Sequence, residues 1–150
     1  MVCDVTSLKA FLVSQKDKIL MYDSERFSKI GELSIELLPT KTREKHHIIG
    51  MKLSPNEEYL AVISGKLLIM QENHPMQLWM FKKDDHERTF KPYSRIIIEG
   101  DEKLRKAFTQ VSMDYCFKDN TGPSRDSLFF ARADCIFEFN FETKEIRTWC

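Results

Sequence analysis

The 150-residue sequence lacks the features that mark several large classes of protein. It has no run of about eighteen apolar residues, and its first five residues lack the basic start and apolar stretch of a secretory signal. Lysine plus arginine and aspartate plus glutamate each number 23, so no net charge attracts nucleic acid or an anionic membrane. Only five glycines and five prolines are present, too few for a flexible linker. We expect a globular cytoplasmic protein, with the cilium or the cytoskeleton as alternative locations.

The four cysteines are far apart and never form a C-x-x-C pair. They are Cys3, Cys116, Cys135 and Cys150. This spacing argues against a zinc knuckle and against a disulfide framework. We therefore expect reduced cysteines, with Cys116 and Cys135 inside strands.

Patterns that carry catalysis or bind a cofactor are missing as well. None of the four histidines pairs with another ligand at zinc-binding spacing on one strand or helix. The glycines are isolated, and the G-x-S-x-G pattern of a nucleophile elbow does not occur. Asp84-Asp85 and Asp101-Glu102 are carboxylate pairs in polar turns, where such groups are usually solvated. The sequence predicts no catalytic residue, no metal, no cofactor and no small-molecule substrate.

What the sequence does contain is a series of short apolar runs separated by polar turns. Residues 111–117 alternate with a period of two, whereas Tyr59–Ile63 is a nearly continuous apolar run, as in a strand covered on both faces. Residues 111–149 predict four strands in a meander. The fold class is therefore all-β, built from antiparallel four-stranded meanders.

The apolar runs repeat along the chain. Residues 11–14 and 19–23 align with residues 128–131 and 136–140, both at an offset of 117 positions. A third copy, residues 61–64 and 78–81, carries an insertion at 66–77. Residues 101–110 have the spacing of one short inserted amphipathic helix, which Asp101 would cap.

Residues 49–62, Ile-Gly-Met-Lys-Leu-Ser-Pro-Asn-Glu-Glu-Tyr-Leu-Ala-Val, resemble the phrase of WD-repeat proteins in which an apolar strand precedes Ser-Pro, a polar turn and Tyr-Leu-Ala. Residues 78–81 and 136–140 resemble the strand that carries the family's Trp-Asp dipeptide, although no Trp-Asp or Gly-His occurs here. The insertion-rich style is similar to that of diverged, uncharacterised ciliate members. The resemblance implies about two and a half β-propeller blades, with units at 8–40, 46–99 and 110–149.

A propeller of this family implies a non-catalytic scaffold for protein–protein contact, whose partners are other proteins of a large assembly or the remainder of a propeller. The alternative is an RNA-associated component of a ribonucleoprotein or organellar complex. Both readings point to one basic stretch as the candidate partner-binding loop: Lys41, Arg43, Lys45, His46 and His47.

The aromatic side chains of the last unit alternate within strands, so we expect them to form inter-blade core rather than a base-stacking platform. They are Phe129, Phe130, Phe137, Phe139, Phe141 and Trp149.

Overall fold

A computed structural model describes residues 3–6, 10–37, 46–65, 75–84, 86, 89–99, 111–116, 126–132 and 135–149. Every regular element in these ranges is a β-strand. The strands are β1 (Cys3–Thr6), β2 (Ala10–Gln15), β3 (Lys18–Asp23), β4 (Lys29–Ser34), β5 (His47–Leu53), β6 (Tyr59–Gly65), β7 (Met76–Asp84), β8 (Thr89–Ile98), β9 (Ser112–Cys116), β10 (Ser127–Arg132), β11 (Cys135–Asn140) and β12 (Ile146–Trp149).

The strands form three antiparallel sheets, each a meander of four strands in chain order. We call them the first sheet (β1–β4), the central sheet (β5–β8) and the third sheet (β9–β12). The predicted all-β class is confirmed. The first sheet has four strands because Cys3–Thr6 pairs with β2, a strand that the sequence did not reveal. The predicted helix near 101–110 lies outside the described residues, in which there is also no helix long and apolar enough to cross a membrane.

The repeat seen in the sequence is also a repeat of strand boundaries. The starts of β2, β3 and β4 recur at β10, β11 and β12 with the same offset of 117 residues. The turn after the third strand is repeated too, since the side-chain oxygens of Asp23 and Asn140 each accept two backbone N–H groups. Phe27 and Lys144 close these turns at positive φ, 51° and 58°. The first and third sheets are therefore copies of one unit.

The first sheet packs on one face of the central sheet. Leu12, Ile19 and Met21 project from it because they occupy alternate positions on β2 and β3. They meet Leu60, Val62 and Phe81 of the central sheet in one apolar cluster. We call this cluster the first interface.

A polar group lies at one edge of the first interface. The buried Gln77 on β7 donates through Nε2 to the backbone oxygen of Glu36, 2.8 Å away, in the segment after β4. Arg95 on β8 contacts the Gln77 Oε1 at 3.4 Å and the Glu36 carboxylate at 3.3 Å, and its guanidinium lies 4.9 Å from the Trp79 ring centroid. These contacts tie the first sheet to the central sheet.

The third sheet packs on the opposite face of the central sheet, and we call this contact the second interface. From the central sheet come Ala61, Ile63, Leu78 and Met80. The third sheet contributes mainly aromatic rings, which are Phe130, Phe137, Phe139 and Phe141.

Two tyrosine hydroxyls add polar contacts at the edge of the second interface. Tyr115 on β9 donates to the backbone oxygen of Lys52 at 2.8 Å. Tyr93 on β8 reaches the backbone oxygen of Phe141 at 3.3 Å. Both bonds join the central sheet to the third sheet.

The first strands of these two sheets, β5 and β9, also approach closely at a glycine. A Cβ on Gly50 in β5 would lie 2.9 Å from the Met113 Cε and 3.3 Å from the Val111 Cβ. Glycine at this position therefore lets β5 and β9 lie side by side.

Candidate functional site

The outer face of the third sheet, which points away from the central sheet, is the candidate site. Directly paired residues in an antiparallel sheet project on the same side. Phe129 therefore shares this face with its partner Glu138, and Ile136 shares it with Trp149. Phe129, Ile136 and Trp149 are 36%, 50% and 48% exposed. We call this surface the open face.

The open face corresponds to a surface that is covered in the first sheet. Phe129 and Ile136 occupy the repeat positions of Leu12 and Ile19, 117 residues earlier. Leu12 is 1% exposed and Ile19 is 0% exposed, because the central sheet lies against them. The same pair of positions is thus buried where a neighbouring sheet is present and solvent-exposed where none is.

Charged and polar side chains surround the apolar residues of the open face. Arg147 is paired with Glu138 across β11 and β12, and Asp114 is paired with Phe129 across β9 and β10. The buried Ser127 hydroxyl lies 2.7 Å from the Glu138 Oε1 and fixes that carboxylate on the sheet. An apolar centre with a charged rim is the usual composition of a protein–protein contact surface.

The basic stretch predicted as a partner-binding loop is only partly visible. Lys41, Arg43 and Lys45 lie outside the described residues. His46 is buried, whereas His47 is half-buried at the start of β5. His46 is therefore not an exposed part of this stretch, because it precedes a strand whose residues are mostly buried.

The expectation for the aromatic residues was right for one face of the third sheet and wrong for the other. Phe130, Phe137, Phe139 and Phe141 are buried in the second interface. Phe129 and Trp149 are exposed instead, since alternation places them on the open face. The sequence signal that could have separated the two groups is this alternation itself, applied to each residue rather than to the whole run.

The expectation of four reduced cysteines was also wrong. Cys135 is fully buried at the start of β11 and is disulfide-bonded, whereas Cys116 is free and exposed. Spacing along the sequence did not reveal this bond because strand pairing, not sequence distance, brings cysteines together. Within the described ranges, no three His, Cys, Asp or Glu side chains gather into a group that could hold a metal ion.

Comparison with known proteins identifies the fold and no family. No family model and no curated protein matches the chain. A solved structure, the periplasmic gluconolactonase PpgL of Pseudomonas aeruginosa, is similar to it with a TM-score of 0.59 and 14% sequence identity. The match covers 99% of this chain and 38% of that chain, so the chain spans well under half the length of the protein it resembles. The three sheets thus have the arrangement of propeller blades, while membership of the WD-repeat family is not shown.

Proposed function

We propose that this chain is a propeller segment with a non-catalytic, protein-binding role, and that its open face takes a further blade-like sheet. The observation that carries the proposal is the contrast between equivalent positions of the first and third sheets. Leu12 and Ile19 are covered by a sheet, whereas Phe129 and Ile136 are exposed. The same unit presents the same face twice, and among the described residues a sheet covers this face in the first copy and not in the third.

The energetic argument favours an occupant for this face. Phe129, Ile136 and Trp149 are each between about a third and a half exposed. Covering the remaining surface of each side chain is favourable by roughly 1 kcal/mol, given ~1.5–3 kcal/mol for full burial of a large apolar side chain. A cluster of exposed apolar residues with a polar rim is typical of a contact surface.

The first interface indicates what kind of surface fits. There the occupant of the equivalent face is an antiparallel sheet that presents Leu60, Val62 and Phe81 from adjacent strands. Propellers normally consist of about four to eight such sheets in a ring. The similar propeller is also a much longer chain, of which this one covers 38%. These observations favour another blade of the same propeller as the occupant.

Photo-cross-linking in the native protein tests the occupant directly. A photoreactive phenylalanine analogue would replace Phe129, and the cross-linked peptides would be identified by mass spectrometry. We expect one dominant cross-link, to a segment with the apolar, strand-forming composition of β6 and β7. The matched control carries the analogue at Phe27, which is 74% exposed in a turn, and should give no defined product.

Two results would count against the proposal. The first is a cross-link from position 129 to a polar segment that lacks an apolar run of strand length. The second is the absence of any cross-link that position 27 does not also give. Either result would mean that the open face is an ordinary solvent surface or binds something other than a blade.

Sedimentation of the 150-residue chain by itself gives an independent check. Without a further blade, the open face should drive concentration-dependent self-association, and Ile136→Lys should reduce it. Ile30→Lys is the control, because Ile30 is 59% exposed in the first sheet, away from the open face. A heat-stable monomer that is unaffected by Ile136→Lys would contradict the proposal.

A further inference from the structure

The outer face of the first sheet, which points away from the central sheet, corresponds to a surface that is buried in the third sheet. Val13 is paired with Leu20, and Tyr22 is the next alternate residue on β3, so these three side chains share the outer face. All three are half-buried. We call this surface the leading face. Its repeat positions in the third sheet, 117 residues later, are at most 1% exposed against the central sheet, and they are Phe130, Phe137 and Phe139.

The two interfaces show the order in which faces meet along the chain. The first sheet turns the face of Leu12 and Ile19 toward the sheet that follows it. The third sheet turns the face of Phe137 toward the sheet that precedes it. The open face holds the repeat positions of Leu12 and Ile19, so it is a surface for a following sheet. The leading face holds the repeat position of Phe137, so it is a surface for a preceding sheet.

The charged side chains of the leading face carry one positive charge in excess. Glu32 is paired with Leu20, Lys29 is paired with Tyr22, and Lys18 is the alternate residue before Leu20, so all three charges lie on this face. The Lys18 Nζ is 3.1 Å from the Glu32 carboxylate, which the Lys29 Nζ also contacts. Two lysines therefore share one glutamate.

The open face has the opposite balance. Asp114 and Glu138 lie there with Arg147, so two carboxylates face one guanidinium. Opposite charges on two surfaces favour their association, and like charges disfavour the contact of a surface with its own copy. The open face is therefore complementary to the leading face both in the order of faces along the chain and in charge.

We propose that the open face of one copy of this chain binds the leading face of a second copy, and that two copies close a ring of six sheets. The inference rests on the proposed function, because it names the sheet that the open face takes. A contact between two different faces generates a ring when its rotation closes, and each copy contributes three sheets. Six sheets lie within the range of about four to eight that propellers use.

Complementary substitutions test whether two different faces meet. Leu20→Glu changes the leading face, and Ile136→Lys changes the open face. Each variant alone brings an unpaired charge into both contacts of the dimer, so each should weaken dimerisation by about tenfold or more in sedimentation. An equal mixture of the two variants should dimerise again. In a mixed dimer one contact is unchanged, and the other brings two opposite charges together.

Ile97→Lys is the control for these variants. Ile97 is 47% exposed on β8 of the central sheet, which belongs to neither face, so its substitution should leave the dimer unchanged. A dimer that Leu20→Glu leaves intact would overturn the inference, since the leading face would then take no part in the contact. A mixture of folded variants that stays monomeric would overturn it as well.

The photo-cross-link from position 129 is a second measurement that needs neither of these variants. In the first interface Leu12 belongs to one cluster with residues of β6 and β7, so its repeat equivalent, position 129, should link to β2 and β3. A mixture of isotope-labelled and unlabelled protein would show that the link joins two copies. A link within one copy, or to a blade-like segment outside residues 10–23, would overturn the inference and leave the proposed function standing. The absence of any specific link would overturn both.

Discussion

The first and third sheets are copies of one unit, yet different kinds of side chain form their contacts with the central sheet. The first sheet contributes Leu12, Ile19 and Met21, which are not aromatic. The third sheet presents a set of phenylalanines. The reason is that the two copies turn opposite faces of the repeated unit toward the central sheet. The first sheet uses the face that carries Leu12 and Ile19, whereas in the third sheet the equivalent face, with Phe129 and Ile136, points away. The kind of side chain at each interface therefore depends on which face of the unit is used and not on which strand carries the residue.

The polar contacts at the two interfaces differ in a parallel way. In the first interface, a buried amide, Gln77, bonds to the backbone of the segment after β4, and an arginine covers it. In the second, the hydroxyls of Tyr115 and Tyr93 bond to backbone oxygens across the gap. The first arrangement buries a polar group completely, while the second keeps its polar atoms at the edge of an aromatic cluster. Substitutions should therefore affect the two interfaces by different amounts.

The largest effect should come from Phe139→Ala in the second interface. Phe139 is fully buried and meets the Phe141 ring edge to face, with ring centroids 5.3 Å apart. Removing the ring leaves a cavity, and we expect a loss of ~3–5 kcal/mol in the free energy of unfolding. Chemical denaturation followed by tryptophan fluorescence would measure this loss.

Phe129→Ala is the matched control, since it removes the same side chain from the same sheet but from the open face. We expect a change of less than about 1 kcal/mol in the isolated chain, because Phe129 is partly exposed and no sheet of the described residues packs on it. Equal losses in the two variants would show that the two faces do not differ as described.

The next largest effect should come from Gln77→Ala in the first interface. The substitution leaves the backbone oxygen of Glu36 without its 2.8 Å donor and creates space beside Arg95. Loss of this hydrogen bond costs ~0.5–1.5 kcal/mol, and the space left by a fully buried side chain adds to that loss, so thermal unfolding should begin at a clearly lower temperature. Gln15→Ala, at an exposed position of β2, is the control and should have little effect. If both variants behave alike, the Gln77 amide does not hold the two sheets together.

A smaller effect is expected for Tyr115→Phe. Only the hydroxyl is removed, and with it the 2.8 Å hydrogen bond to the backbone oxygen of Lys52. The ring remains in place, so the loss should be ~0.5–1.5 kcal/mol by denaturant titration. Tyr93→Phe removes a longer contact, 3.3 Å, and should cost less than Tyr115→Phe. The reverse order would mean that the length of these two hydrogen bonds does not rank their energies.

Much of the fold could be predicted from the sequence because strand signals are local. The alternation in residues 111–117 and the run Tyr59–Ile63 each mark a strand, and the offset of 117 between two copies marks a repeat. The copies agree even in their turns, as Asp23 and Asn140 show. These features depend on residues that are close in the chain, and such signals survive without knowledge of the tertiary contacts.

The candidate site was less predictable, because it depends on which face of a sheet meets a neighbour. Alternation separates Phe129 from Phe130, but it does not say which of the two is covered. The burial of His46 and the disulfide of Cys135 were not predicted for the same reason, since both depend on contacts in the folded chain and not on the local sequence pattern. The open face became visible only once the three sheets were placed side by side.

The smallest effect on stability is expected for Asp23→Asn, which gives the turn of the first sheet the residue type of the equivalent turn in the third sheet. The difference in stability should appear only in acid. Hydrogen bonding from the backbone N–H of Arg26, with a further contribution from Glu25 and from the Arg26 charge, lowers the pKa of Asp23 below its usual 3.8 despite partial desolvation. The folded state therefore favours the ionised carboxylate. Its contribution to stability is complete above the pKa of the unfolded chain and is lost as the pH falls through the lower pKa of the folded state.

Asn140 makes the same turn in the third sheet with an amide oxygen, which accepts from Glu142 and Thr143 at 3.0 and 2.9 Å and has no proton to gain. Asp23→Asn should therefore match the wild type near pH 7 and become the more stable of the two as the pH falls below about 3.8. Urea unfolding midpoints between pH 2 and 7 would measure the difference. The pKa of Glu32 is also lowered, by hydrogen bonds from Lys29 and Lys18, but this group is present in both proteins and cancels from the comparison. Because the turn geometry is shared, parallel acid profiles for the two proteins would mean that the Asp23 carboxylate contributes nothing that an amide does not.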